Sequence, residues 1–202
     1  MRARSAERTL HDMKRNPRLP RVLAAAGVVS ATIAMLSLGD VAQARPAAPD
    51  VPDAIQVEQG HEVSLVGHAA GVQIYSCTAG ASGPRWTFVG PRADVYATNG
   101  NLLMTHFSGP TWQARDGSTV VASRVDGATV DSSAIPWLLL AATSTSPGPR
   151  GGDRLASTTF IQRINTTGGL EPPAGECNAS TAGTTKEVPY TADYYFWKAT
   201  DR

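Results

Sequence analysis

A chain of 202 residues with 18 Lys and Arg against 17 Asp and Glu has room for one ordinary domain and not for two. Residues 1–44 carry seven of the basic and three of the acidic residues, so the rest of the chain has a formal charge of −3. A mildly acidic domain lacks the positive surface that nucleic acids and anionic lipids require, which argues against both as partners.

The N-terminal 44 residues have the pattern of a secretory signal peptide. A run of basic residues precedes residues 22–39, which contain no charge, and the small-residue sequence Ala42-Gln43-Ala44 follows. This order predicts export with cleavage after Ala44, and no membrane attachment once the segment is removed. The alternative is an uncleaved anchor through residues 22–39, but that run is only just long enough to span a bilayer and is rich in Ala, Gly and Ser.

The first elements predicted after the signal peptide are an extended segment and two strands. Residues 45–54 are rich in Pro and Ala and read as an extended lead-in. Residues 62–69 and 71–77 both have the alternation of a β-strand, with a break predicted at Ala70-Gly71. One face of the second strand carries Gln73, Tyr75 and Cys77.

Three dipeptides in the middle of the chain predict β-hairpins. Asn99-Gly100, Asp116-Gly117 and Asp126-Gly127 each lie between strand-like segments. Asn-Gly and Asp-Gly favour type I′ turns, because both central residues of that turn need a positive φ. Their spacing indicates a meander of antiparallel strands and fits poorly with helices.

The last third of the chain supplies three further strand-like segments. Residues 135–142 form a continuous apolar run that predicts a central strand or a buried turn, and residues 158–164 and 188–199 follow. The whole pattern predicts a single all-β domain over residues 55–199. We expect a β-sandwich or a partly closed barrel of about 8–10 short antiparallel strands.

The two cysteines, Cys77 and Cys177, are most simply a structural disulfide, because exported proteins fold in oxidising compartments. A bond closing a loop of about 100 residues would stabilise the fold by roughly 4.7 kcal/mol through the entropy of the unfolded chain. The alternative is a pair of free reactive thiols, for which the neighbouring sequence gives no activating feature.

Several motifs occur in an order that resembles a known family. They are Gly-Val-Gln-Ile-Tyr-Ser-Cys at 71–77, Gly-Pro-Thr-Trp at 109–112, Ile-Pro-Trp-Leu-Leu-Leu at 135–140, Phe-Ile-Gln-Arg-Ile-Asn-Thr-Thr-Gly-Gly at 160–169 and Val-Pro-Tyr-Thr-Ala-Asp-Tyr-Tyr-Phe at 188–196. Over about residues 51–199 the chain resembles a secreted bacterial and fungal family known as domain of unknown function 3455. The resemblance implies no activity. Some fungal members are labelled malate dehydrogenases, but this sequence has no G-x-G-x-x-G between a strand and a helix, which disfavours that label.

The histidines give little support for a metal site or a catalytic triad. His61 and His68 are seven residues apart and would point to opposite faces of one strand, so we predict no metal and no cofactor. A triad of His106, Asp116 and Ser118 would have to be assembled by the fold. The simpler interpretation is that Asp116 belongs to a hairpin turn and Ser118 starts a strand.

The candidate ligand-binding residues are polar and aromatic groups within the strand-like segments: Gln162, Arg163, Tyr190, Asp193 and Trp112. Arg163 could clamp a carboxylate or sulfate in a barrel mouth, although an ion pair with Asp193 is the simpler interpretation. We expect an exported, non-enzymatic module that binds a small ligand or acts at the cell surface. The alternative is a secreted hydrolase or isomerase with a site around His106, Arg163, Tyr190 and Asp193. An enzyme would need at least two of those four groups within hydrogen-bond reach in a cleft.

Overall fold

The computed structural model describes residues 46–200, and the predicted signal peptide lies outside them. Within this range the chain forms eight antiparallel strands and two short 3-10 turns, Asp53–Ile55 and Ala174–Glu176. The strands are β1 His61–Thr78, β2 Arg85–Tyr96, β3 Leu102–Phe107, β4 Thr111–Ala114, β5 Thr119–Ala128, β6 Trp137–Ser146, β7 Thr158–Gly168 and β8 Thr185–Ala199. Each strand pairs with its neighbours in sequence and β1 also pairs with β8, which closes the sheet into a barrel. The predicted all-β fold is confirmed, and the closed barrel replaces the sandwich alternative.

Strand β1 joins the two segments that the sequence separates at Ala70-Gly71. The chain stays extended there and does not turn. Gly71 has no side chain, and this lets β1 and β2 approach each other closely. A Cβ atom on Gly71 would overlap the carbonyl oxygen of Arg92 and lie 2.5 Å from Cα of Ala93. The resulting 18-residue strand is long enough to pair with β2 and β8 at once, which allows closure.

Two of the three predicted hairpin turns form, but with a different turn geometry. Gly100 and Gly117 have φ of +80° and +85°, whereas Asn99 and Asp116 do not adopt positive φ, so neither turn is type I′. The third dipeptide, Asp126-Gly127, lies inside β5, where an irregularity interrupts its pairing with β6. The dipeptide therefore marks a bulge in one long strand and not a connection between two strands.

Alternate side chains fill the barrel interior. On β8 the inward row contains Tyr190, Ala192, Tyr194 and Phe196, each at most 3% exposed, which agrees with the alternation of this segment in the sequence. These side chains belong to one interior cluster with residues of the other strands, including Ala69, Val95, Met104, Trp112, Val120, Leu140 and Ile161. Eight strands enclose a space that side chains fill, or that holds one small ligand.

The segment before β1 packs on the outside of the barrel. Ile55 is fully buried there against Leu139 and Ile164. Gln162 lies beneath the same segment: its Nε2 donates to the carbonyl oxygen of Ile55 at 2.7 Å, and its Oε1 accepts from Nε1 of Trp197 at 2.9 Å. The predicted lead-in, residues 45–54, is therefore followed directly by Ile55, which is buried against the outside of the barrel.

Cys77 and Cys177 form the predicted disulfide. The bond links the end of β1 to the loop that precedes β8, and it is buried beside Tyr75 and Trp86. Trp86 Nε1 donates to the carbonyl oxygen of Pro173 at 3.2 Å, which holds the same loop a second time. A loop of 16 residues between β7 and β8 is therefore fixed to the barrel wall at two points.

Candidate functional site

The barrel interior contains a cavity of about 110 Å³ close to the β3–β4 connection. Its apolar lining consists of Phe88, Pro91, Pro110, Trp112, Leu138 and Leu140. Its polar lining consists of Gln73, His106, Arg124, Arg163 and Tyr194. For comparison, an engineered apolar cavity of about 150 Å³ binds benzene. The volume therefore suits one small ring or a short carbon chain, with its polar end against the polar lining.

Strand alternation places these polar residues inside. Gln73 shares the inward face of β1 with Tyr75, His106 follows the core residue Met104 by two positions, and Arg163 follows Ile161 in the same way. Residues two apart on a strand face the same side. Each polar residue thus continues a row of core side chains at the end where the cavity lies.

Two buried N–H donors at the cavity have no hydrogen-bond partner among the described residues: Nε2 of Gln73 and Nε1 of Trp112. Both side chains are at most 2% exposed. A buried donor without a partner costs about 1–3 kcal/mol, and a buried Trp N–H usually has one. Both donors belong to residues that line the same cavity, so its wall contains two N–H groups without a protein acceptor among the described residues.

Arg163 supplies a half-buried positive charge to the same cavity. Its Nη2 and Nε donate to the carbonyl oxygen of Pro136 at 2.7 and 3.3 Å. The ion pair with Asp193 that the sequence suggested does not form, and no carboxylate within residues 46–200 is paired with this guanidinium. The exposed Arg124 adds a second positive charge, and no acidic side chain of the described residues lines the cavity.

The titratable aromatic groups beside Arg163 are neutral. His106 is 4% exposed, and burial lowers the pKa of its imidazole to about 3, with the charge of Arg163 acting in the same direction and the hydrogen bond to Thr111 opposing both. The hydroxyl groups of Tyr190 and Tyr194 lie 3.3 Å apart, and burial raises the pKa of both phenols. At neutral pH the two arginines therefore carry the charge of the site.

Three of the residues singled out in the sequence point into the barrel. Trp112 and Arg163 line the cavity. Tyr190 lies in the interior beside them and contacts the cavity residue Tyr194 through its hydroxyl group. The sequence therefore identified Arg163, the main cation of the site, and Trp112, one of its aromatic walls.

The other two candidates, Gln162 and Asp193, lie on the outer surface of the sheet. Gln162 is adjacent to Arg163 on β7, so it faces the opposite side and packs beneath the N-terminal segment. Asp193 accepts hydrogen bonds from Nδ1 of His68 at 2.6 Å and from Nδ2 of Asn165 at 2.8 Å. Neither residue lines the interior cavity.

The alternative catalytic group is not assembled as one site. Of its four members, His106 and Arg163 line the cavity, whereas Asp193 points away from it. No hydrogen bond joins any two of His106, Arg163, Tyr190 and Asp193 in the part of the chain that the structure describes. These four residues therefore do not form one hydrogen-bonded group, which is the arrangement that the catalytic alternative predicts.

Two members of the triad considered from the sequence, Asp116 and Ser118, contact each other, whereas His106 lies at the interior cavity and bonds to Thr111 instead. Ser118 donates its hydroxyl to Asp116 at 2.6 Å and accepts from the backbone N–H of Leu155 at 3.1 Å. Asp116 also accepts from the backbone N–H of Arg154, so it holds two loops together. Across residues 46–200, no group of three or more His, Cys, Asp or Glu side chains is placed to share a metal ion.

Eight of the eleven cavity residues were not identified from the sequence: Gln73, Phe88, Pro91, Pro110, Arg124, Leu138, Leu140 and Tyr194. Gln73 carried a usable signal, since it is the one polar side chain on the face that Tyr75 and Cys77 place inward. Tyr194 carried another, because it alternates with core residues of β8. Arg124 and Leu138 gave none, because only closure of the barrel brings side chains of β5 and β6 to the same interior cavity as those of β1.

The fold and the cavity define a class: a small up-and-down β-barrel with a partly polar interior cavity. The chain belongs to the family described as protein of unknown function (DUF3455), whose model matches residues 58–198. This confirms the resemblance drawn from the motifs. Neither the comparison with curated proteins nor the comparison with solved structures yields a match. Within residues 46–200, no helix has the length and apolarity needed to span a membrane.

Proposed function

We propose that this barrel is an exported binding module that holds a small carboxylate in its interior cavity. The observation that carries the proposal is the half-buried guanidinium of Arg163, which lies in the cavity lining without a carboxylate partner among the described residues. A partly buried charge is normally paired, and a planar guanidinium matches a carboxylate in shape and in hydrogen bonding.

The remaining lining supports the same ligand class. The N–H groups of Gln73 and Trp112 offer further donors for carboxylate oxygens, and Arg124 adds positive charge at the exposed side. The apolar side chains Leu138, Leu140 and Phe88 would contact the carbon skeleton. The site is cationic although the domain as a whole is acidic, so the charge that selects an anion is local to the cavity.

Isothermal titration calorimetry with two sizes of probe tests the proposal. Butyrate and benzoate are the charged probes, and butyramide and benzamide are their neutral counterparts of nearly equal shape. We expect at least one acid to bind about tenfold or more tightly than its amide, since a hydrogen bond to a charged group contributes about 1.5–3 kcal/mol. Equal binding of acid and amide, or no heat with any of the four, would contradict the proposal.

Two variants locate the binding. Arg163→Gln removes the interior charge and is expected to weaken the bound acid about tenfold or more. The matched control is Arg92→Gln, which removes a guanidinium paired with Glu187 on the outer surface of the barrel. An equal loss of affinity in both variants would mean that the acid responds to the overall charge and not to the cavity.

Export is the second part of the proposal, and the disulfide supports it because such bonds persist in oxidising compartments. Mass spectrometry of the intact protein from culture medium tests it. We expect a chain that begins at Arg45 and that takes up two alkyl groups only after reduction. A full-length chain retained in the membrane fraction would instead support an anchor through residues 22–39.

A further inference from the structure

The protonation of His106 determines which kind of ligand atom the cavity can accept beside it. Nδ1 of His106 lies 2.9 Å from the carbonyl oxygen of Thr111. A carbonyl oxygen only accepts hydrogen bonds, so Nδ1 must carry the proton and donate it. In the neutral imidazole, Nε2 then has a lone pair and no hydrogen.

The ring of His106 is held in place and kept neutral. It stacks on Trp112 with the ring centroids 4.0 Å apart and an angle of 10° between the planes, and Tyr194 meets it edge-on at 5.3 Å. Pairing of β3 with β4 sets His106 opposite Trp112, so the stack is built into the sheet. With its pKa lowered to about 3, the imidazole does not gain a second proton at neutral pH.

Nε2 is therefore a fixed acceptor in a lining that otherwise consists largely of donors. It has no hydrogen-bond partner among the described residues, whereas Arg163 and Arg124 can only donate. The hydroxyl of Tyr194 is already within hydrogen-bond distance of Tyr190. A simple carboxylate, which has only acceptors at neutral pH, would satisfy the arginines and leave Nε2 of His106 without a donor.

We propose that the preferred ligand is a small hydroxy acid, with its carboxylate toward Arg163 and its hydroxyl group donating to Nε2 of His106. This inference rests on the carboxylate site proposed above and narrows its ligand class. A site that is arranged to hydrogen-bond a hydroxyl group discriminates against the analogue that lacks it, because a buried polar group is then left unpaired.

The test compares benzoate with 2-, 3- and 4-hydroxybenzoate, and each hydroxy acid with its methoxy analogue, by isothermal titration calorimetry on the whole protein. The methoxy group can accept a hydrogen bond but cannot donate one. We expect at least one hydroxy isomer to bind about tenfold tighter than benzoate, and its methoxy analogue to lose that gain. In His106→Phe, which keeps an aromatic ring in the stack, the preference for the hydroxy acid over benzoate is expected to fall to about one.

A second measurement needs no variant. The ¹⁵N signal of Nε2 of His106 is expected to move when the hydroxy acid is added and to stay in place with the methoxy analogue. If benzoate binds and no hydroxy isomer gains affinity, the hydroxy-acid inference is wrong while the carboxylate site stands. If neither butyrate, benzoate nor a hydroxybenzoate binds, the carboxylate site itself is refuted. If butyrate alone binds, the carboxylate site stands and the hydroxy-acid inference is wrong. A gain that persists in His106→Phe would place the hydroxyl contact elsewhere and overturn the inference.

Discussion

The burial of His106 predicts a specific loss of stability in acid. The pKa of its imidazole is about 3 in the folded barrel, against an ordinary value of 6.5. Between these values the unfolded chain binds a proton that the folded protein does not, so the free energy of unfolding falls as the pH falls from about 6.5 towards 3. The slope approaches 1.36 kcal/mol per pH unit, and the contribution lost by pH 4 is on the order of 3 kcal/mol.

The variant His106→Asn isolates this contribution, because the Asn amide can still donate to the carbonyl oxygen of Thr111 and does not titrate. Urea unfolding of the disulfide-intact protein, followed by tryptophan fluorescence between pH 4 and pH 8, gives the difference between wild type and variant. We expect wild type to lose about 3 kcal/mol relative to the variant on going from pH 7 to pH 4. Val120→Ala, a change elsewhere in the interior that involves no titrating side chain, should differ from wild type by a constant amount. Parallel curves for wild type and His106→Asn would refute the reasoning.

Three further predictions concern the framework of the barrel. Replacing Cys77 and Cys177 together by Ala should lower the free energy of unfolding by about 4–5 kcal/mol, measured by urea denaturation, because the bond closes a separation of 100 residues. Gly71→Ala should destabilise by at least about 2 kcal/mol in the same assay, since the new Cβ meets backbone atoms of β2, whereas Gly175→Ala, which meets nothing within 4 Å, should cost little. Gln162→Leu leaves a buried carbonyl oxygen and a buried indole N–H unpaired and should lower the free energy of unfolding by roughly 2–6 kcal/mol. The affinity of this variant for benzoate should equal that of wild type, because residue 162 lies outside the cavity.

Much of the fold was accessible from the sequence because it depends on local alternation. The inward rows that contain Tyr75 on β1 and Tyr194 on β8 follow directly from the period-two alternation of the sequence. The disulfide follows from the prediction that the protein is exported to an oxidising compartment. The error at Ala70-Gly71 has a physical reason. Glycine is used there for close strand contact, which looks the same in the sequence as a turn. The hairpin predicted at Asp126-Gly127 is wrong for a similar reason, since a dipeptide that favours turns also occurs at bulges within a strand.

The site was less accessible because it depends on which face of each strand is enclosed. Gln162 and Arg163 are both candidates from the sequence, although neighbours on a strand point to opposite sides and only one of them can face the interior. The pattern around them could not decide which one faced inward, because residues on both faces of β7 are buried, one set in the barrel and the other beneath the N-terminal segment. Asp193 was expected at the site for a related reason. It is adjacent to Tyr194 on β8, so Tyr194 points into the barrel and Asp193 points to the opposite side.

The position of the cavity follows from how the interior is filled. Gly67, Ala69 and Gly71 keep β1 close to β2, and the large side chains of Trp112 and Phe196 fill the middle of the barrel. The interior cavity lies toward the end where the interior rows finish in polar residues, so the cavity and the residues with buried donors coincide. With nothing bound, two unpartnered N–H groups would lower the free energy of unfolding of the barrel by about 2–6 kcal/mol. Departures from good packing and full hydrogen bonding are expected where a protein binds something, because the bound molecule supplies the missing partners. The unpaired N–H groups of Gln73 and Trp112 are therefore the groups for which the proposed ligand would supply partners.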